Sequence, residues 1–153
     1  MSYDKNNIFA KILSGEISCK KIYEDEYVLA FYDVNPQKKV HVLVIPKGEY
    51  VNLDDFSSNA SEKEISGLIK GISIIAKKIG VSDAVKGGGY RSLVNVGENG
   101  GQEVPHLHFH IFGGEKVGNM VSYRSSSRGI LKISFSIDIF VFTFLIRKLT
   151  SLE

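Results

Sequence analysis

The chain has 153 residues, of which 43% are hydrophobic and 24% charged, and its formal net charge is +2. This length allows one domain with a buried core, and the composition excludes an intrinsically disordered protein. The small net charge, with no basic run, argues against a nucleic-acid partner. The single cysteine, Cys19, cannot form an internal disulfide, and the N-terminus lacks the apolar core of a signal peptide. We therefore expect a cytoplasmic protein.

The first predicted element is a short helix that begins after Asn7. Asn7 is a favoured N-cap residue, and Gly15 is a favoured residue after a helix end. Between them, four apolar residues have the spacing of one helix face: Ile8, Phe9, Ile12 and Leu13.

Three strands are predicted next. Residues 19–23 and 28–33 form two short strand-like runs joined by an acidic turn. Residues 40–45 are rich in β-branched side chains and end at Pro46, which is typical of a central strand. His41 lies on this strand, with Leu43 and Ile45 on the same face.

The most strongly predicted helix follows a polar segment, residues 52–60, that we interpret as a loop. Ser61 and Glu64 form a capping box, with Ser61 as N-cap. Apolar residues continue at helical spacing from Ile65 to Ile79, and Gly80 ends the run.

The remaining elements complete the predicted fold. Residues 87–89 are three glycines that predict a loop, residues 90–96 predict a strand, and residues 97–101 predict a second glycine-bearing loop. Together the elements indicate an α+β fold. It has a largely antiparallel sheet of about five strands, one long helix and one short helix.

Residues 105–112 contain three of the four histidines, alternating with large apolar side chains. This alternation has the period of a strand with one buried face. His106, His108 and His110 should therefore share a face, with about 7 Å between successive Cα atoms. Leu107, Phe109 and Ile111 should face the opposite side.

Three explanations of the histidine row are possible. The first is a partly exposed strand whose polar face happens to be histidine. The second is a metal site, in which His106 and His108 could share an ion, although the outer pair is too far apart for one ion to bind all three. The third is nucleophilic and acid–base chemistry, which the spacing fits best because imidazole can act as a nucleophile and as an acid near neutral pH.

The last segment of the chain is unusual. In residues 130–149, apolar residues first occupy every second position and then form a continuous run. Lys132, Asp138 and Arg147 interrupt or bound this segment. A membrane span needs about 20 apolar residues. We rank an added strand or a partner-buried arm above a membrane anchor, and a segment without selected function is the third possibility. We treat residues 1–124 as one domain and residues 125–153 as a C-terminal extension.

Several ordered motifs resemble the histidine-triad (HIT) superfamily. The triad motif is residues 105–112, and the match extends upstream to Ile8–Phe9, residues 31–37, residues 41–46, Val94–Asn95 and residues 100–104. With Gly113 and Gly114 after the triad, these motifs are similar to the Hint branch of purine nucleoside phosphoramidases. The resemblance covers about residues 4–121.

The resemblance implies a HIT-like fold and a homodimer that binds a purine nucleoside monophosphate. It implies cleavage of the P–N bond in nucleoside phosphoramidates, with no metal or cofactor and no membrane or nucleic-acid partner. His108 would be the nucleophile that carries the nucleotide covalently, and His110 would bond the phosphate and assist the leaving amine. His106 and His41 would orient these two.

The resemblance also assigns substrate contacts. Asp33 would accept from the ribose hydroxyls, and the base pocket would comprise Ile8, Phe9, Ile12, Phe31 and Val34. Contacts to the phosphate and leaving group would come from Asn95, Gly101, Gln102 and Glu103. Each residue also has a structural explanation, as core, turn or loop residue.

The expected chemistry depends on the state of two side chains. A backbone carbonyl that accepts from Nδ1–H of His108 would leave Nε2 free to attack phosphorus. His110, if protonated, and the backbone N–H groups of Gly100 and Gly101 could then stabilise charge on the phosphoryl oxygens. Glu103 is a departure from some relatives, which carry serine at this position. A carboxylate there would repel the substrate phosphate unless it bonds the leaving group.

Two alternative functions stay open. A dinucleoside polyphosphate hydrolase could use the same nucleophile, although Gly113 and Gly114 favour the phosphoramidase. A protein of a different class, a nucleotide- or metal-binding interaction module without significant turnover, would use the same pocket without chemistry.

Overall fold

The computed structural model describes residues 2–120, so the predictions for the C-terminal extension lie outside the described residues. Residues up to Gly118 belong to one compact unit. The helices are α1 (Ile8–Leu13), α2 (Leu53–Asn59) and α3 (Glu62–Lys78), and a single turn of 3₁₀ helix covers Asp83–Val85. The strands are β1 (Lys21–Glu24), β2 (Val28–Tyr32), β3 (Val40–Pro46), β4 (Tyr90–Val94) and β5 (Phe109–Gly113).

The five strands form one antiparallel sheet in the order β1-β2-β3-β5-β4. The predicted α+β class with a five-stranded antiparallel sheet is therefore confirmed. β3 and β5 are neighbours, and their register places Leu43 opposite His110 and His41 opposite Phe112. This pairing brings the fourth histidine beside the last histidine of the triad.

The side chains of the sheet alternate between two apolar clusters. One face packs against α3, where Val42, Val44 and Ile111 join Leu68 and Ile75 of the helix in a buried core. The other face carries a smaller cluster with α1, which comprises Phe9, Leu29, Phe31, Leu43 and Ile45. This division follows from the period-two geometry of a strand.

Two glycines allow α3 to approach β2 closely. A Cβ built on Gly71 would lie 3.0 Å from Val28 Cγ2, and one built on Gly67 would lie 2.5 Å from ring carbons of Tyr27. A larger residue at Gly67 would have to displace the ring. Glycine therefore serves close packing at these two helix positions, despite its low helix propensity.

The predicted helix starts are confirmed. The Asn7 side chain accepts from the backbone N–H groups of Phe9 and Ala10 at 2.9 Å each. At α3, the Ser61 N–H donates to Glu64 Oε2 at 2.8 Å, and the Glu64 N–H donates to Ser61 Oγ at 3.3 Å, which is the predicted capping box.

The prediction of a loop at residues 52–60 is wrong, because Leu53–Asn59 forms α2. Asn52 caps this helix by accepting from the Asp55 N–H at 2.9 Å, and Asp54 and Asp55 lie in its first turn, where acidic residues are favourable. Phe56 fixes the helix to the core and is only 3% exposed. The polar composition of the segment concealed this single apolar anchor.

Strand boundaries also differ from the predictions. β1 begins at Lys21 and β4 ends at Val94. β5 begins only at Phe109, so His106 and His108 precede the regular strand. Their neighbour Leu107 nevertheless lies in the α3-side core with Ile111, as the alternation predicted. No helix among residues 2–120 is long and apolar enough to cross a membrane.

Candidate active site

A pocket of about 900 Å³ opens on the face of the sheet that carries α1. This volume is within the range of small-molecule and cofactor sites. All but two of the predicted site residues line it: Ile8, Phe9, Ile12, Phe31, Asp33, Val34, His41, Asn95, Gly101, Glu103, His108 and His110. The two that do not are His106 and Gln102.

His108 has the orientation expected of a nucleophile. Its Nδ1 lies 2.7 Å from the His106 carbonyl oxygen, and because a carbonyl can only accept, Nδ1 carries the hydrogen. The predicted hydrogen bond is therefore confirmed, and it leaves the Nε2 lone pair unprotonated. Burial lowers the pKa of His108, and the charges of Asp33 and Glu103 oppose that shift. The ring is therefore neutral at neutral pH.

His106 lies behind His108 and is fully buried. Its Nε2–H donates to the Pro46 carbonyl at 3.1 Å, so its Nδ1 is the acceptor for the hydroxyl of Tyr3. Burial lowers the pKa of His106 to about 4. With both ring nitrogens engaged, His106 holds the backbone carbonyl that orients His108 and cannot share a metal ion with it.

His41 and His110 form a second hydrogen-bonded pair beside Asp33. The Gln37 N–H donates to His41 Nδ1 at 3.3 Å, which leaves His41 Nε2–H to donate to His110 Nδ1 at 2.9 Å. Asp33 Oδ2 lies 3.4 Å from the same His41 Nε2. His110 therefore carries its own hydrogen on Nε2.

The His110 Nε2–H has no hydrogen-bond partner among the residues that the structure describes, although it is buried. A buried donor without a partner is costly, so the group is suited to a ligand acceptor such as a phosphoryl oxygen. Burial, with the neighbouring His108 and His41 rings, lowers the pKa of His110 to about 4. In the unliganded site His110 is therefore neutral, and the neutral ring still presents a donor.

Asp33, His41 and His110 are the described residues placed to hold a metal ion. One ligand atom from each lies within 4.8 Å of the others. Two imidazoles and a carboxylate are suitable ligands for zinc. An ion there would have to displace the hydrogen that His41 and His110 share. The arrangement therefore offers a cation site only at the expense of the histidine pair.

The predicted base pocket lies at the α1 and β2 end. The Phe9 and Phe31 rings meet edge to face with their centroids 5.8 Å apart, and Phe9 also contacts the His108 ring at 5.1 Å. Ile8 is 48% exposed and Val34 is 90% exposed at the pocket wall. Exposed apolar side chains around a cavity mark a binding surface for an apolar group such as a base.

The loop between β4 and β5 supplies the opposite wall. Asn95 Nδ2–H donates to the Gly101 carbonyl at 3.4 Å. The Gly101 N–H donates to the Glu98 carbonyl at 2.9 Å, so the expectation that this amide is free for phosphate is wrong in this structure. Glu103 is exposed and lines the pocket.

Gln102 braces this loop instead of facing the pocket. Its Nε2 donates to the carbonyls of Val51 at 2.6 Å and Val104 at 2.9 Å, and its Oε1 accepts from the Gly97 N–H at 3.1 Å. Its predicted contact with substrate stays a prediction, because these bonds already occupy the side chain.

Sequence reasoning missed several residues of the site. Tyr3 binds His106 across more than a hundred residues of sequence, and no local pattern indicates such a contact. Cys19 also lines the pocket, together with Ile17 and Lys20. Ile17 is 36% exposed just before β1, and this exposure is visible only in the folded protein.

The chain is similar to several known proteins. The sequence profile described as the HIT domain matches residues 14–117. An uncharacterized 13.2 kDa HIT-like protein of Azospirillum brasilense is 52% identical over 121 residues, which cover 79% of this chain and 96% of that protein. A purine nucleoside phosphoramidase of Escherichia coli is 34% identical over 120 residues, covering 78% and 97%. The crystal structure of a histidine triad protein from Clostridium difficile is similar with a TM-score of 0.68 and 41% identity, covering 79% and 100%.

Proposed function

Because the chain belongs to the HIT domain family, we propose that it is a nucleotide hydrolase that cleaves the P–N bond of purine nucleoside phosphoramidates. The observation that carries the proposal is the His108 ring, which is fixed by the His106 carbonyl with a bare Nε2 at the wall of a nucleotide-sized pocket. The Escherichia coli phosphoramidase named above supports the choice of substrate.

In the first step, the His108 Nε2 lone pair attacks the α-phosphorus, a P–N(His) bond forms, and the P–N bond to the amine breaks. The ring becomes positively charged in this adduct. Its Nδ1–H already points at the His106 carbonyl, which stabilises the cationic ring. Water then attacks phosphorus and gives a proton to the His110 ring, the bond to His108 breaks, and the nucleoside monophosphate is released.

His110 acts on the phosphoryl and leaving groups. Its partnerless Nε2–H donates to a phosphoryl oxygen, and the bound anion raises the His110 pKa toward the charged form. The His41 ring holds the tautomer of His110, and Asp33 lies beside both. When His110 takes up a proton on Nδ1, the hydrogen of His41 moves from its Nε2 to its Nδ1, so that His41 Nε2 now accepts from His110. The charged His110 ring then gives its Nε2 proton to the departing amine nitrogen. No step of this scheme requires a metal ion.

The other substrate contacts follow the shape of the pocket. The base lies against Phe9, Phe31 and the exposed apolar residues at the mouth, and the ribose lies beside Asp33. Asp33 Oδ1 accepts from the Asn35 N–H at 2.8 Å, which fixes the carboxylate in place. The leaving amine then points toward the loop that carries Asn95 and Glu103.

We also propose that the protein is a homodimer. β4 is an edge strand of the sheet, and its outer edge pairs with no other strand in the described part of the chain. An unpaired edge is a surface on which a second copy can add. Light scattering coupled to size-exclusion chromatography should give twice the chain mass of 17.0 kDa.

The decisive experiment is capture of the intermediate. The protein is mixed with an adenosine phosphoramidate, quenched in acid-free denaturant, and examined by mass spectrometry for a nucleotidyl group on His108. Turnover of diadenosine polyphosphate is measured in parallel. Adduct formation with faster phosphoramidate turnover supports the proposal, whereas faster polyphosphate turnover favours the alternative hydrolase. Absence of turnover on both substrates, with nucleotide binding retained, would indicate an interaction module.

A further inference from the structure

We propose that Glu103 selects the leaving group, and that the preferred substrates are phosphoramidates of amines that carry a second, positive charge. This inference rests on the proposed function, since it concerns the amine half of the same substrate. It assigns a substrate class, nucleotides joined to diamines or basic amino acids, that the resemblance alone leaves open.

Glu103 lies on the side of the pocket where the leaving group is expected. Residues 17–20 line the pocket near β1, at one edge of the sheet, whereas Asn95, Gly101 and Glu103 lie in the connection between β4 and β5 at the other. The aromatic and apolar wall for the base is on the β1 and β2 side. The space beyond the phosphate is therefore on the Glu103 side, where the leaving group must lie.

The charge of the pocket wall also favours a cationic leaving group. Among the described lining residues, Asp33 and Glu103 are acidic, Lys20 is the only lysine or arginine, and the histidines are neutral. The Lys20 ammonium lies 4.9 Å from the centroid of the Tyr32 ring, at the base end of the pocket. Glu103 forms no ion pair within residues 2–120. An unpaired carboxylate beside the leaving group attracts a cation and repels an anion.

The negative charge of Glu103 also acts on the reacting centre, which is the His108 ring. The negative charges of Glu103 and Asp33 both oppose the lowering of the His108 pKa by burial. Glu103 also lines the same pocket as His108, so its charge acts on the nucleophile. A cationic leaving group offsets the repulsion between this carboxylate and the substrate phosphate, and a second phosphate as leaving group would increase it.

The experiment compares three substrates of similar length. Adenosine monophosphate is joined to putrescine, butylamine or γ-aminobutyrate, so that the distal end is positive, neutral or negative. The wild-type kcat/KM should fall about tenfold from the cationic to the neutral substrate, which corresponds to about 1.4 kcal/mol. It should fall again for the anionic substrate, and added salt should compress the series.

The Glu103→Gln variant should remove most of the difference between the three substrates and bind adenosine monophosphate more tightly than the wild type. Glu98→Gln is the matched control, because Glu98 is an exposed carboxylate of the same loop that does not line the pocket. It should keep the wild-type order. Circular dichroism verifies that both variants are folded.

Two results would overturn the inference. Equal kcat/KM values across the three substrates in the wild type would show that the pocket does not discriminate between leaving groups by charge. An unchanged order of the substrates in Glu103→Gln would show that a group other than Glu103 selects the leaving group. Either result leaves the proposed function intact, because the substrates are still cleaved. Failure to cleave all three would instead reject the phosphoramidase proposal, and this inference with it.

Discussion

Protonation of His106 should couple the stability of the fold to pH. The ring is fully buried, and its environment lowers its pKa to about 4. An unfolded chain has an ordinary histidine with a pKa of about 6.5. Above that pH neither the folded nor the unfolded state binds a proton at His106, so this residue makes no contribution to the pH dependence of the free energy of unfolding. As the pH falls toward about 4, the unfolded state alone is protonated and the folded state loses stability.

The magnitude follows from the two pKa values. The interval from about 6.5 to about 4, at about 1.4 kcal/mol per pKa unit, gives a loss of about 3 kcal/mol. Such a loss is a large fraction of the stability of an ordinary domain. Below about pH 4 His106 is protonated in both the folded and the unfolded state, and its contribution to the free energy of unfolding no longer changes with pH. Buried His110 contributes in the same direction, so the effect of His106 must be isolated by substitution.

His106→Gln is the matched variant, because glutamine can donate to the Pro46 carbonyl and accept from Tyr3 but cannot be protonated. Urea unfolding is followed by far-ultraviolet circular dichroism at several pH values, since the chain contains no tryptophan. The wild type should lose about 3 kcal/mol more than the variant between neutral pH and about pH 4. Parallel curves for the two proteins would refute the reasoning.

Three further predictions concern individual side chains. His108→Ala should abolish hydrolysis while calorimetry still detects nucleotide binding, and undiminished turnover would exclude the mechanism. Tyr3→Phe leaves the Nδ1 of buried His106 unpaired and should lower the free energy of unfolding by about 1–3 kcal/mol. Tyr23→Phe, which removes a hydroxyl from a partly exposed strand, is its control and should have a smaller effect. Gln102→Ala removes the brace to Val51 and should accelerate amide hydrogen exchange at Gly97, and unchanged exchange would contradict that role.

Local sequence patterns predicted most of the fold because they reflect local physics. The capping box of α3 and its apolar stripe are properties of neighbouring residues, and alternation along 40–45 and 105–112 decided which face each side chain takes. α2 was missed because its helix-forming signal is a cap and acidic first turn within an otherwise polar segment. Its only deep contact, Phe56, is made with distant residues.

The residues of the site that belong to one sequence motif could be predicted. Contacts between residues that are distant in the sequence could not. The His108–His106 hydrogen bond follows from spacing along one segment. The Tyr3–His106 contact and the bonds of Gln102 to Val51 depend on how distant segments meet. Burial, which lowers the pKa of His110 and keeps it neutral, is likewise a property of the assembled pocket.

The alternation of β3 and β5 divides the protein into two regions that can be altered separately. Val42, Val44 and Ile111 pack against α3, whereas the pocket is lined by the opposite face of the same strands. An engineer seeking heat tolerance can therefore redesign the helix side without replacing any group that meets the nucleotide. One seeking a new leaving group can work on the other side, leaving the principal core untouched.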